Sequence, residues 1–333
     1  LYQSALADVT DIATDLAKAE GGFYEVFTPS TQVVGRFLAV PHSIIGNAVA
    51  YRKSWLSEAG ATEYPKTWDD ARKLFAGLKK KGRPYGQTLG HTFGDAPTFC
   101  YPMLWCFGGA ETDQRGKKVV INSKGALESV KFMQAFWTEA CDEGGLAWDD
   151  TNNNRAFHAG ELSATLNGAS IYIVAKRQKD KIKDEKGEPM WQDIDEAPLP
   201  AGPAGRFHFY QPNSHGVMKY SKNQKAAKNL LRWMHRKENF EKWFLTQEAY
   251  GVGGTKTWES HPMWNKVDEP LKMFRAAARN TRIFGHGGPA TAKATEAFTK
   301  YIITDMYAKA VQGMKAEDAV KWAEGELKKI YEA

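Results

Sequence analysis

Amphipathic helices that begin at capping residues alternate along this chain with short apolar runs, and this alternation constrains the fold strongly. At the best-marked helix start, the Thr67 hydroxyl can accept a backbone N–H, and Asp70 can answer it three residues later. Apolar residues then recur at helical spacing until Gly82. Alternation of this kind is typical of α/β proteins, so we predict an α/β fold.

The same signals place the other elements. Further helices are predicted near Asn122 and Ser123, from Ser221, where Gln224 completes a capping box, and from Ala316 to Tyr331. Short apolar runs predict strands over residues 33–45, 119–121, 162–166 and 216–218.

The chain has 333 residues, which is more than one hydrophobic core usually holds. Two lobes are therefore expected. Residues 196–209 and 247–258 are rich in proline or glycine and are predicted to connect the lobes.

Charge and hydropathy exclude some partners. The net charge is +6, but acids and bases are interleaved, and even the basic run 176–186 contains Asp180, Asp184 and Glu185. This pattern predicts no nucleic-acid partner. No apolar run approaches the ~20 residues that span a bilayer, so no membrane insertion is expected.

The cysteines give no sign of a redox or metal site. Cys100, Cys106 and Cys141 form no CxxC pair and have no zinc-ligand spacing. We predict three free thiols, no required metal ion and no cofactor.

Enzyme motifs of the common kinds do not occur in the sequence. It lacks GxSxG, HExxH and Walker A patterns, and its YGVGGT segment does not match a dinucleotide fingerprint. A glycoside hydrolase is the main alternative class, because such enzymes also bind their substrate in a cleft lined by aromatic rings and carboxylates. Their chemistry needs a pair of carboxylates. The candidate Asp95 has no second carboxylate recognisably paired with it in the sequence, so we predict a protein that is not an enzyme.

Several segments resemble a known family in its order along the chain. They are GNAVAYRKSWLSEAGATEYPKTWDDARKLFAGLKKKG, YPMLWCFGGA, VINSKGALESVKFM, AFHAGELSATLNGAS, APLPAGPAGR and SHGVMKYSKNQKAAKNLLRWM. Together they resemble the type 1 extracellular solute-binding proteins of ABC importers, the group that includes maltose-binding protein. The resemblance covers nearly the whole chain.

The resemblance implies the periplasmic binding protein fold, with two α/β lobes joined by crossing strands and a ligand held between them by hinge closure. Residues 1–45 and 205–252 would form the first lobe, and residues 46–204 and 253–333 the second. It also implies a monomer in the periplasm or anchored at the cell surface, which captures a solute, most simply a sugar, and delivers it to the membrane permease.

One departure concerns the first lobe. In the family, further strands and helices precede the segment that begins here with ALADVTDI. Either the chain is a fragment of a longer protein or its first lobe is incomplete. We favour a fragment, because nothing in residues 1–45 could replace the missing strands.

Matched loops imply ligand contacts in the second lobe. Asp95 and Thr98 lie before the matched GG; the alternative for Asp95 is to cap the following helix. Asn167, Gly168 and Ser170 match a loop in which the family carries a stacking tryptophan. Here Ser170 replaces that ring, with Tyr172 close by, which argues against maltodextrins as ligands.

The other implied contacts lie in the first lobe and at the third strand crossing between the lobes, which the resemblance implies near residues 250–258. These are Asn213, Ser214 and His215, and then Tyr250 and Gly253. His215 can donate to a ligand or can simply be a satisfied turn histidine. A phosphorylated polyol or another non-sugar solute stays an alternative, although no arginine is assigned to a phosphate.

Overall fold

The computed structural model describes residues 3–279 and 281–332. The α-helices, in chain order, are α1 Thr10–Ala19, α2 Thr28–Thr31, α3 Lys53–Glu58, α4 Trp68–Lys79, α5 Asp95–Cys106, α6 Lys124–Ala140, α7 Asn152–His158, α8 Ser170–Arg177, α9 Gln224–Met234, α10 Lys237–Gln247, α11 Ala292–Thr299, α12 Ile302–Val311 and α13 Ala316–Tyr331. The strands are β1 Gln32–Val33, β2 Arg36–Phe37, β3 Ala39–Ile45, β4 Ala48–Arg52, β5 Tyr85–Gly86, β6 Ala164–Asn167, β7 Ile194–Ala197, β8 His208–Phe209, β9 Gln211–Gly216, β10 Gly251–Gly253 and β11 Thr281–Arg282. Short 3₁₀ segments cover Glu25–Phe27, Glu143–Ala147, Met190–Asp193, Lys256–Ser260, Pro262–Asn265 and Glu269–Arg279.

The chain divides into two compact units. The first unit runs up to Gly46 and then from Tyr210 to Ile283, and the second comprises Asn47–Phe209 and the residues from Phe284 onward. Residues 253–283, which the sequence assigned to the second lobe, thus group with the first unit. The physical reason is the Trp258 ring, which lies 4.6 Å from the ring of Phe240 and 5.1 Å from that of Phe244.

The first unit contains a three-stranded antiparallel sheet in the order β10-β3-β9. The register between β3 and β9 shifts between Pro41 and Ser43, so His42 stands at an irregularity in the ladder. Helix α1 packs on this sheet through a small apolar core that includes Ile12, Val40 and Leu231.

The second unit contains a four-stranded sheet in the order β5-β6-β4-β7. Strand β4 pairs antiparallel with β6 and β7, whereas β5 pairs parallel with β6. Trp68 of α4 packs edge-on against Phe99 of α5 at 5.6 Å and against Phe136 of α6 at 5.7 Å. This packing holds α5, whose first turn carries Asp95.

Local capping signals predicted several helices correctly. The Thr67 side chain accepts from the Asp70 N–H at 3.2 Å, and α4 begins at Trp68. Ser123 accepts from the Ala126 N–H at 3.2 Å at the start of α6. The closing helix has the predicted bounds, Ala316–Tyr331.

Other local predictions were wrong. Helix α9 begins at Gln224 instead of Ser221, because the Ser221 hydroxyl accepts from the Asn223 N–H and holds a turn there. Residues 119–121 form no strand; Val119 makes only an isolated bridge with Thr112.

The predicted strand over residues 33–45 is divided. Val34 and Gly35 have φ values of 49° and 74°, so the chain turns back there. Strands β1 and β2 pair across this turn, and only β3 enters the main sheet of the first unit. The predicted strands over 162–166 and 216–218 appear shifted, as β6 and as β9, which ends at Gly216.

The three cysteines are buried and free. Among the described residues, no helix is both long and apolar enough to cross a bilayer.

Candidate functional site

The N-terminus of α5 is covered by a carboxylate that lies far away in the sequence. Asp150 accepts from the Gly94 N–H at 3.1 Å and from the Asp95 N–H at 2.8 Å. Asp95 is the first residue of the helix and Gly94 is its N-cap residue, so the alternative that Asp95 itself caps α5 is wrong. Asp150 satisfies the free amides instead and complements the positive end of the helix dipole.

The Asp95 side chain turns into the second unit and is only 8% exposed. Its Oδ2 accepts from the side-chain amide of Asn153 at 2.7 Å and from that of Asn167 at 3.2 Å. We call these three residues, with Asn154 and Ser170, the Asp95 cluster.

The side chains of Asn153 and Asn167 make further hydrogen bonds within the protein. The Asn167 Oδ1 accepts from the Gly168 N–H at 2.8 Å and from the Ser170 hydroxyl at 2.9 Å, while its amide also donates to Asn154. The Asn153 amide additionally contacts the Thr165 hydroxyl at 3.1 Å. Asn153 and Asn167 are buried, whereas Asn154 and Ser170 are partly exposed and complete the cluster at its accessible side.

Burial raises the pKa of Asp95 to about 8, and the neighbouring charge of Asp150 acts in the same direction. The hydrogen bond from Asn153 opposes this shift. At neutral pH the Asp95 carboxyl is therefore protonated, and the cluster consists of uncharged donors and acceptors around it.

The other predicted residues of the second unit lie at different depths. Thr98 is buried, and its hydroxyl donates to the backbone oxygen of Asp95 at 3.2 Å. Tyr172 is 3% exposed, and its ring meets Trp191 edge-on at 6.0 Å, so little of it is presented for stacking.

The segment that precedes α5 carries two exposed rings, Phe93 and His91. Phe93 is 61% exposed and meets the Phe298 ring edge-on at 5.3 Å. His91 and Tyr301 stack at 4.5 Å with nearly parallel planes. Sequence reasoning did not single out these rings.

The predicted residues of the first unit have varied surroundings. Asn213 lies opposite Ser43 in the β3–β9 ladder, and the Ser214 hydroxyl is buried without a hydrogen-bond partner among the described residues. Tyr250 precedes β10, and its N–H donates to the Gln247 oxygen at 2.8 Å. A Cβ on Gly253 would come within 2.4 Å of Trp258, so this glycine is explained by packing.

His215 is neither exposed nor isolated in a turn. Its ring lies 4.4 Å from that of His42, and His235 joins them. Burial, followed by the charges of the other two histidines, lowers the pKa of His42 to about 3. This histidine is thus neutral at physiological pH.

Sequence reasoning missed Asp150, Asn153 and Asn154. A signal was present, because the run WDDTNNN places two acids and three amides one residue before the matched segment AFHAGELSATLNGAS. A polar run of that kind is also usual in solvated loops, and only the fold shows that it faces Asp95.

The comparisons with known proteins agree with this architecture. The family model described as bacterial extracellular solute-binding protein matches residues 1–266. The chain therefore belongs to the bacterial extracellular solute-binding proteins. No curated protein sequence matches it.

Solved structures show the same fold. The maltose-bound MalE3 of T. maritima has a TM-score of 0.80 at 23% identity, and a sugar transporter from Arthrobacter chlorophenolicus with bound laminaribiose has 0.80 at 16%. An ABC transporter solute-binding protein from Agrobacterium radiobacter, in complex with ribitol, has 0.77 at 18%. Each match covers 98% of this chain and 81% of the other. The predicted α/β class and periplasmic binding protein fold are confirmed.

Proposed function

We propose that this protein captures a sugar or a closely related polyhydroxylated solute, in the periplasm or at the cell surface, and delivers it to the permease of an ABC importer. Its membership of the solute-binding family supports the capture of a small molecule. Similar structures hold maltose, laminaribiose and ribitol, which are all neutral and rich in hydroxyl groups.

The Asp95 cluster is the observation that carries this proposal. Asn153 and Asn167 are held by hydrogen bonds on several sides, so the groups that they orient are fixed before any ligand arrives. Fixed, neutral donors and acceptors suit sugar hydroxyls, because little side-chain entropy is lost when they bind. We assign contact with the solute to Asn154 and Ser170, because they are the partly exposed members of the cluster.

Phe93 supplies the second requirement of a sugar site, a ring for the apolar C–H face of a pyranose. It lies two residues before Asp95 and keeps 61% of its surface exposed. An exposed phenylalanine ring is unfavourable in water unless something covers it, which favours Phe93 over the buried Tyr172 as the stacking ring. Asn213, Ser214, Tyr250 and Gly253 stay predictions as ligand contacts.

A thermal-shift screen tests the proposal. The panel contains maltose, laminaribiose, common monosaccharides and ribitol. Buffer without any sugar or polyol is the reference. We expect at least one member to raise the melting temperature in a concentration-dependent way, because a ligand that binds only the folded state stabilises it. A flat response to every sugar and polyol, in a sample that melts cooperatively, would contradict the proposal.

We also propose that the solute is bound without being converted. Asp95 does have a carboxylate neighbour, Asp150, which the sequence did not reveal. Both oxygens of Asp150 accept backbone N–H groups of the α5 N-terminus, so this carboxylate is engaged in capping. Chromatography after prolonged incubation with maltose and laminaribiose should show the sugars unchanged; released glucose would indicate a glycosidase.

A further inference from the structure

Three histidines that are widely separated in the sequence converge in the first unit. His42 lies on β3, His215 on the adjacent strand β9, and His235 directly after α9. One potential ligand nitrogen from each lies within 4.8 Å of those of the other two. No spacing rule applied to the sequence finds such a set, because its members come from three separate elements.

One pair of nitrogens already has the separation that a metal ion requires. The Nδ1 of His42 is 3.3 Å from the Nε2 of His235. Two nitrogens bound tetrahedrally to zinc, with bonds of about 2.0–2.1 Å, lie about 3.3 Å apart.

The backbone fixes which nitrogen of His235 faces the cluster. Its Nδ1 lies 2.9 Å from the Leu231 carbonyl oxygen, which can only accept, so Nδ1 carries the proton. The Nε2 lone pair is therefore directed toward His42. Metal-bound histidines usually donate their second ring N–H to a carbonyl or carboxylate in this way.

His42 owes its direction to the irregularity in the sheet. The β3–β9 register shifts between Pro41 and Ser43, and such bulges change the direction of a side chain. On the facing strand, the Nδ1 of His215 is buried without a hydrogen-bond partner among the described residues. Buried polar atoms of this kind are uncommon and often mark an absent ion or water.

The surroundings combine an apolar wall with a route of entry. The rings of Phe240 and Trp243 pack against His42 at 5.1 and 4.4 Å. A cavity of about 360 Å³ reaches His42 and His215 and is lined also by Trp233 and Asn239. An ion can thus reach the imidazoles without opening the sheet.

We propose that His42, His215 and His235 bind a divalent transition-metal ion, for which Zn²⁺ is the best fit, with its fourth position open to water from the cavity. Three neutral imidazoles suit zinc, copper or nickel, whereas Mg²⁺ and Ca²⁺ prefer oxygen ligands. The ion would join β3, β9 and the end of α9. The three histidines belong to the first unit and the Asp95 cluster to the second, so the metal site does not rest on the proposed function.

Titration of the full, tag-free chain with ZnCl₂ after chelator dialysis tests this site. Calorimetry should show one equivalent bound per chain, and the melting temperature should rise with Zn²⁺ but not with Mg²⁺. His42→Asn and His215→Asn should each weaken binding by at least about tenfold, because each removes one of three ligands. The matched control is His91→Asn, which alters a mostly exposed histidine of the second unit and should bind zinc like the parent.

Two results would overturn the proposal: no stoichiometric binding by the parent chain, or parent-like affinity in both His42→Asn and His215→Asn. If these variants do not fold, Co²⁺ added to the parent chain decides instead. Visible absorption with the intensity of four-coordinate Co²⁺, abolished by Zn²⁺, supports the site, and a six-coordinate spectrum contradicts it.

Discussion

The environment of Asp95 decides which chemistry its side chain offers. The family resemblance implied that Asp95 contacts the ligand directly. The structure gives Oδ2 two amide donors and places the group where burial raises its pKa to about 8. In the proposed site, a protonated Asp95 orients Asn153 and Asn167, and Asn154 and Ser170 are the members proposed to contact the solute.

Two substitutions of Asp95 separate these roles. Asp95→Ala removes one acceptor from each of two buried amides, which loosens the cluster, and should weaken sugar affinity by about 1–3 kcal/mol. Asp95→Asn keeps an acceptor for both amides and resembles the protonated acid, so affinity at pH 7 should stay near that of the parent. Calorimetry with the sugar identified in the screen checks this pair. A loss in Asp95→Asn equal to that in Asp95→Ala would show that the ionised carboxylate is needed.

The raised pKa of Asp95 also predicts a pH dependence of stability. The unfolded carboxyl titrates near pH 3.9, so between about pH 4 and about 8 the folded state holds an extra proton. Stability from this group is complete below about pH 4 and is lost as the pH rises through about 8. The side chain in Asp95→Asn cannot titrate. The urea midpoint of this variant, relative to that of the parent, should therefore increase as the pH rises from about 5 to about 9. A constant difference across that range would refute the raised pKa.

At the scale of elements, local signals succeeded where the partner of each group lies within one turn. Thr67 and Asp70 cap α4 through a contact three residues apart, and Ser123 does the same for α6. The α5 N-terminus is capped by Asp150, which comes from a distant segment and cannot be inferred from local spacing. The Ser221 prediction failed because a serine hydroxyl can hold a turn as well as cap a helix.

A pair of glycine substitutions tests the packing of two elements with the same chemical change. Gly253→Ala in β10 places a Cβ 2.4 Å from the buried Trp258 ring and should destabilise the protein by about 1–3 kcal/mol. Gly77→Ala, in the last turn of α4, meets nothing within 4 Å and should stabilise by about 0.5–1 kcal/mol. Chemical denaturation followed by tryptophan fluorescence measures both. Equal effects of the same sign would contradict the packing described for β10.

At the scale of the whole molecule, the sequence was enough to predict the fold class and the family, because many ordered segments contribute to that match. The limits of the lobes were harder to predict from the sequence, because the grouping of residues 253–283 with the first unit depends on the contacts of Trp258 with Phe240 and Phe244. Sites behave alike. Asp95 was marked by a matched loop, whereas Asn153 and His235 come from segments whose neighbours only the folded chain defines. Closure of the lobes around a ligand stays a prediction.

The charge of the whole molecule separates the proposed ligand from an anionic one. The chain carries a net charge of +6, which attracts phosphates and nucleic acids at low salt. A neutral sugar releases no counterions, so its affinity should change by less than about twofold between about 50 and about 200 mM salt. A phosphorylated polyol should lose affinity over this range through screening of its charge. Calorimetry at the two salt concentrations, with the best sugar of the screen and its phosphate ester as the matched control, makes the comparison. Tighter and salt-dependent binding of the ester would show that the ligand is a phosphorylated solute instead of a neutral sugar.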